Sequence, residues 1–177
     1  EWVMWAVNAG MPPELIAMAK LRPDVVFQSE IPAAPDTPYC TPRSLHALGD
    51  VAKAYPGGLT EMVTSPVGMC VAAGLIGDGP AAEVAGLVRT TLRLPSFDAA
   101  MAAPEVTPVP TDLAEAYAMV MLVAVRANAD EHREQAATYL VRFPVNIALT
   151  GIVAMVRRQK GFLHSQTFGK WVAANRD

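Results

Sequence analysis

Apolar residues in this chain recur at intervals of three and four. No segment alternates apolar and polar positions long enough to make a convincing strand; the nearest approach is "DVVFQS" (24–29). That periodicity restricts the fold class to all-α. The 15 prolines then cut the helical pattern into short pieces, because proline opens a helix readily and is tolerated poorly inside one.

The expected elements follow from this punctuation. Helical spacing over 1–8 ends at Gly10, and Pro12-Pro13 opens a helix over 14–21 that the Arg22-Pro23 step stops. The loop "QSEIPAAPDTPYC" comes next. Its prolines, with Pro42 just beyond, forbid regular structure and stiffen the approach to Thr41. A helix over 45–55 should bury Leu45, Leu48, Val51 and Ala52. Further helices are expected over 59–63, 66–76 and 80–92, with Asp78 capping the last. Ser96 should cap a short helix to Met101. The proline-rich "APEVTPVP" (103–110) reads as a linker. Beyond it, helices are expected from Thr111 to 127, from Asp130 to 141, from Pro144 to 159 and from Ser165 to 175. No repeat period emerges, so a solenoid is not favoured, although the successive hairpins after 111 keep it in view.

Composition narrows the function classes. The chain is 52% hydrophobic but only 7% aromatic, as suits closely packed helices. A net charge of −3 offers no basic excess to draw in a nucleic-acid backbone. Mean hydropathy is +0.25. The longest apolar runs, 116–125 and 145–156, still fall short of the ~20 residues a membrane span needs, so no membrane segment is expected. No basic segment precedes the apolar "EWVMWAV" at Glu1, so no signal peptide is read there. The chain is taken as a piece of a longer protein, or as one processed at its N-terminus. Cys40 and Cys70 lack metal or CxxC spacing and read as reduced thiols of a cytoplasmic protein.

Few residues point to chemistry. There is no GxxxxGK[ST], HExxH, GxSxG or paired acidic motif. "GDGPAAE" lacks the P-loop lysine and reads as a helix–helix turn. His132 in "DEHRE" should lie on a solvated face, and His46 sits one turn from Arg43. Trp2 and Trp5 are expected in the core of the first hairpin rather than as an exposed recognition pair, and "RRQKGF" at a helix C-terminus, where cations are favourable, rather than as a small basic patch.

One stretch resists a purely structural reading. In "YCTPRSLHAL" Thr41 should cap a helix with Pro42 at its first position, which puts Arg43 in the first turn. The N-terminal end carries about half a positive charge, so a cation there is misplaced unless an anion joins it. Guanidinium beside a helix start suits a phosphate. The structural alternative is an ion pair with Asp36 or Asp50.

The ordered series "LIAMAKLRPDVVF", "PYCTPRSLHAL", "LIGDGPAAEV" and "LPSFDAAM…VPTDLAEAYAM" resembles the C-terminal part of MoxR-type AAA+ ATPases. Members carry a helix ending in RP, a polar proline-rich loop, TPRSW or SPRA opening a lid helix, a VGxGxAAEF helix pair, and a linker-plus-helix. The likeness runs to about Val141 and more loosely beyond. It implies an AAA+ lid-like helical bundle over 1–94 and a C-terminal helical extension over 95–177 after the proline-rich linker. It also implies that Arg43 is the sensor-2 residue contacting the γ-phosphate of ATP, with Thr41 and Pro42 setting the helix start. ATP and Mg would be bound mainly by an upstream AAA+ large domain in a homo-oligomeric ring, sometimes partnered by a von Willebrand factor A domain protein. Such assemblies remodel or mature other proteins. The chain departs from the pattern at Leu45, where relatives often have Trp. It contains no Walker A, Walker B, sensor 1 or arginine finger, so alone it should not hydrolyse ATP. The rival reading is a nucleotide-free helical protein–protein interaction module. A DNA-binding helix-turn-helix is disfavoured by the acidic balance.

Overall fold

A computed structural model describes residues 1–28 and 37–175. Every regular element among them is helical. The chain divides into two compact units, Glu1–Arg93 and Leu94–Asp177.

The first unit contains α1 (Trp2–Asn8), α2 (Pro13–Leu21), α3 (Pro23–Val26), α4 (Pro42–Ala54), α5 (Gly58–Thr64), α6 (Pro66–Ile76) and α7 (Asp78–Thr91). The described part of "DVVFQS", 24–28, is not a strand: its first residues form α3, opened by Pro23. Helix α2 is central. Leu15, Ile16, Ala17, Met18 and Ala19 are all buried, so it lies among neighbours on nearly every side. It packs on α7, and α4 packs on α5 and α6. The Tyr55 and Ser65 hydroxyls, 2.9 Å apart, tie the end of α4 to the α5–α6 bend. The apolar stripe of α4 differs from expectation at one position. Gly49 is buried and Val51 is 36% exposed, because α1–α2 approaches α4 at Gly49, where a Cβ would stand 2.9 Å from the Met11 methyl. Asp78 does not cap α7. It lies within the first turn, and Gly77 at φ 88° makes the entry that only glycine adopts easily.

Glu14 carries a testable energetic consequence. It is half-buried and accepts from the Thr91 hydroxyl at 3.3 Å. Burial pushes its carboxyl above the ordinary range, against the opposing pull of its own backbone N–H and Thr91. A raised acid favours the fold while protonated, and that contribution is lost as pH rises through the folded-state value. Glu14→Gln is therefore expected to melt higher than the parent at neutral pH. The gap should close as pH falls through the carboxylate range, and parallel thermal melts at several pH values check this.

The second unit contains α8 (Phe97–Ala102), α9 (Leu113–Arg126), α10 (Ala129–Leu140), α11 (Val145–Arg158), a 3-10 turn (Lys160–His164) and α12 (Gln166–Ala174). Asp112, not Thr111, caps α9 by accepting from the Ala114 and Glu115 N–H groups. Asn128, not Asp130, caps α10. The proline-rich 103–110 stretch is not a free linker. Thr107 is buried and donates to the Ala99 and Ala103 carbonyls at 3.0 and 2.8 Å. Arg142 donates to the Pro104 and Thr107 carbonyls, and the Tyr139 hydroxyl to that of Pro108. Burial pushes Tyr139 up to about 12, so it stays a donor at any physiological pH. His132 is half-buried in a stretch whose Asp130, Glu131 and Glu134 are exposed as expected, but it also packs inward. Its ring meets Phe97 at 5.2 Å, and its Nδ1 accepts from the Asn128 N–H.

Helices α9 and α11 pack together, and at Gly151 an added Cβ would lie 2.4 Å from Val120 Cγ1 and 3.3 Å from Leu140 Cδ1. Gly151→Ala is expected to destabilise the unit by about 2 kcal/mol through overpacking. Val120→Ala in the same chain should recover part of that loss, giving a coupling of about 1 kcal/mol in a double-mutant cycle by chemical denaturation.

Candidate functional site

The loop entering α4 is anchored before it delivers Arg43. Cys40 is buried, and its carbonyl accepts from the Gln28 amide at 3.0 Å. Burial and the nearby Glu83 push the Cys40 thiol up to about 11, which makes it a packing residue and a poor nucleophile. The helix start is then closed from both sides. Thr41 Oγ1 accepts from the Ser44 N–H at 3.0 Å, and Ser44 Oγ accepts from the Thr41 N–H at 2.8 Å. Ser44 Oγ also lies 3.1 Å from the Tyr39 carbonyl. Pro42 occupies the first helical position.

This capping alters the anion argument. Pro42 has no N–H, that of Ser44 is spent on Thr41 Oγ1, and that of Leu45 on the Thr41 carbonyl at 2.9 Å. Among the described residues, only the Arg43 N–H of the first turn has no acceptor. Any anion here is therefore met chiefly by the guanidinium, aided by the helix field, and not by a ring of backbone donors.

Arg43 is exposed and forms no ion pair with any described residue. Asp50 is engaged elsewhere: His46 Nε2 stands 3.0 Å from it and Lys53 Nζ 3.7 Å. Asp36, the other acid considered, lies outside the described residues. Two concavities meet at Arg43. One, of about 840 Å³, runs past Pro38, Tyr39, Ser44, Ala47, Gly74 and Leu75. The other, of about 330 Å³, is lined by Trp2, Trp5, Pro42, Arg43 and His46.

The structure thus brings Thr41, Pro42 and Arg43 together at one helix start. It moves the tryptophans out of the core, since Trp5 is 43% exposed and Trp2 half-buried. The ring of Trp5 lies 4.5 Å from His46 at 81°, and that of Trp2 lies 6.1 Å from Phe27. Helical spacing in α1 placed both indoles on one face, but the expectation that this face lies in the core of the first hairpin does not hold, because the rings pack on His46 and Phe27 at the surface. Gly74 and Leu75 on α6 carried no sequence signal at all. No group of three His, Cys, Asp or Glu among the described residues is placed to hold a metal. No single helix among them is long and apolar enough to cross a membrane.

No known family model, curated protein or solved structure matches this chain.

Proposed function

We propose that this chain supplies the lid and C-terminal helical portion of a MoxR-like AAA+ ATPase. The observation that carries the reading is Arg43. It is a guanidinium held at a rigidly capped helix start, exposed, unpaired among the described residues, and placed where two concavities meet.

The residues fit the role. The capping box and Pro42 fix the backbone from which Arg43 projects, so little backbone freedom is lost when it meets an anion. Its planar fork suits phosphate oxygens. ATP with Mg, when bound by an upstream AAA+ large domain, supplies the charge on the γ-phosphate. Arg43 senses that charge, and its loss frees the lid to move. The full protein would be a cytoplasmic homo-oligomeric ring that remodels or matures client proteins, with a von Willebrand factor A domain protein as a candidate partner. The second unit would dock that partner or client.

A nucleotide-free helical interaction module is the second reading. The exposed stripe Val145, Leu149 and Val153, one turn apart on α11, favours it. The full-length gene product decides between them. Steady ATP hydrolysis, with a P-loop lysine encoded upstream of Glu1, is expected. A product without either overturns the ATPase reading.

A further inference from the structure

Large aromatic side chains are usually drawn into the core, yet two indoles here flank an exposed cation. The smaller concavity is walled by Trp2 and Trp5 from α1 and by Pro42, Arg43 and His46 from α4. Arg43 and His46 are three residues apart on one helix and so share a face. His46 meets the Trp5 ring at 4.5 Å, and its Nε2 is held by Asp50 at 3.0 Å. Trp2 lies 6.2 Å from Trp5. The result is one concavity lined both by two indole rings and by a guanidinium that is unpaired among the described residues.

We propose that this concavity receives the base of a nucleoside phosphate. The base rests on the Trp2–Trp5 surface, and the phosphates are directed toward Arg43. The proposal rests on the reading that Arg43 meets a nucleotide phosphate and adds where the base lies. An acidic peptide would use the cation but leave the rings idle, and an apolar peptide would do the reverse. A nucleotide uses both, because it joins a base to phosphates in one molecule. Stacking on an aromatic side chain is available to every base, so the site should prefer nucleotides over inorganic phosphates without choosing strongly among bases.

The test uses this chain labelled at its indole nitrogens and followed by NMR. ATP and inorganic tripolyphosphate are titrated separately to ~1 mM and above, the regime of weak binding. ATP is expected to shift the Trp2 and Trp5 indole signals and to leave Trp171, which lines no part of this concavity, in place. Trp5→Ala should weaken ATP about tenfold and leave tripolyphosphate binding unchanged. Trp5→Phe, which keeps a ring, should lose less and guards against a folding artefact. Arg43→Ala should weaken both ligands. The proposal is overturned if ATP and tripolyphosphate bind alike, if ATP leaves both indoles unmoved, or if a single-stranded oligonucleotide displaces ATP at equal nucleotide concentration. Unmoved indoles, together with a full-length protein whose turnover still depends on Arg43, sink the base site alone. If Arg43→Ala changes neither binding nor turnover, both readings fall.

Discussion

Arg43→Ala in the full-length protein is expected to lower ATP turnover about 100-fold while nucleotide affinity changes less than about tenfold. The magnitude is that of removing one donor aimed at charge that must be stabilised during reaction. Affinity changes less because the bulk of the nucleotide would be held by the large domain. Loss of fold is not an available excuse. The Arg43 side chain is exposed and carries no ion pair among the described residues, so its truncation should shift stability by no more than about 0.5 kcal/mol. Arg43→Lys should recover charge but not the planar fork, and therefore only part of the rate. Thr41→Ala supplies a contrast. It removes the oxygen that accepts the Ser44 N–H, so it should cost about 1 kcal/mol of stability. Steady-state hydrolysis and fluorescent-nucleotide binding read out all three variants. Turnover unchanged in Arg43→Ala would sink the sensor reading.

Gly68→Ala is expected to destabilise the first unit by about 3 kcal/mol, at the upper end of overpacking effects. Helices α5 and α6 are bent by 99° at their junction, and Gly68 sits in the inner corner. A Cβ there would stand 2.0 Å from the Met62 carbonyl oxygen and 2.8 Å from its Cα. These are backbone atoms, so no rotamer change relieves the overlap. One helix must move, and with it Ser65, whose Oγ accepts the Gly68 N–H at 3.0 Å. For a unit of this size the melting temperature should fall by more than about 10 °C. Gly74→Ala in the same helix is the control. Nothing lies within 4 Å of its added Cβ, so the gain in helix propensity should stabilise by about 0.5–1 kcal/mol. Two identical substitutions within one helix, at 68 and 74, should thus have opposite signs. Equal effects on the melting temperature would refute the close packing assigned to Gly68.

The all-helical class was legible because it depends on local physics. Apolar spacing, prolines at first helical positions, and Ser and Thr caps act within a few residues. Thr41, Ser65, Ser96 and Ser165 cap helices as their neighbours in sequence require. Local rules erred slightly at two helix starts: Asp112 caps α9 one residue after the expected start at Thr111, and Asn128 caps α10 two residues before the expected start at Asp130.

What only the tertiary structure decided depends on distant partners. The 103–110 stretch has a linker's composition, yet Tyr139 and Arg142, some thirty residues on, satisfy its carbonyls. Trp5 and Val51 have core chemistry, yet the packing of α4 and α1 leaves both outside. The candidate site divides the same way. The sequence by itself determined that a proline-stiffened, Thr-capped helix would present Arg43 in its first turn. The tertiary structure decided that Asp50 is turned to His46 and Lys53, and that two indoles and the α6 surface flank the guanidinium. The reason is physical: caps and prolines act over one helical turn, whereas a concavity is made by side chains that only long-range packing brings together.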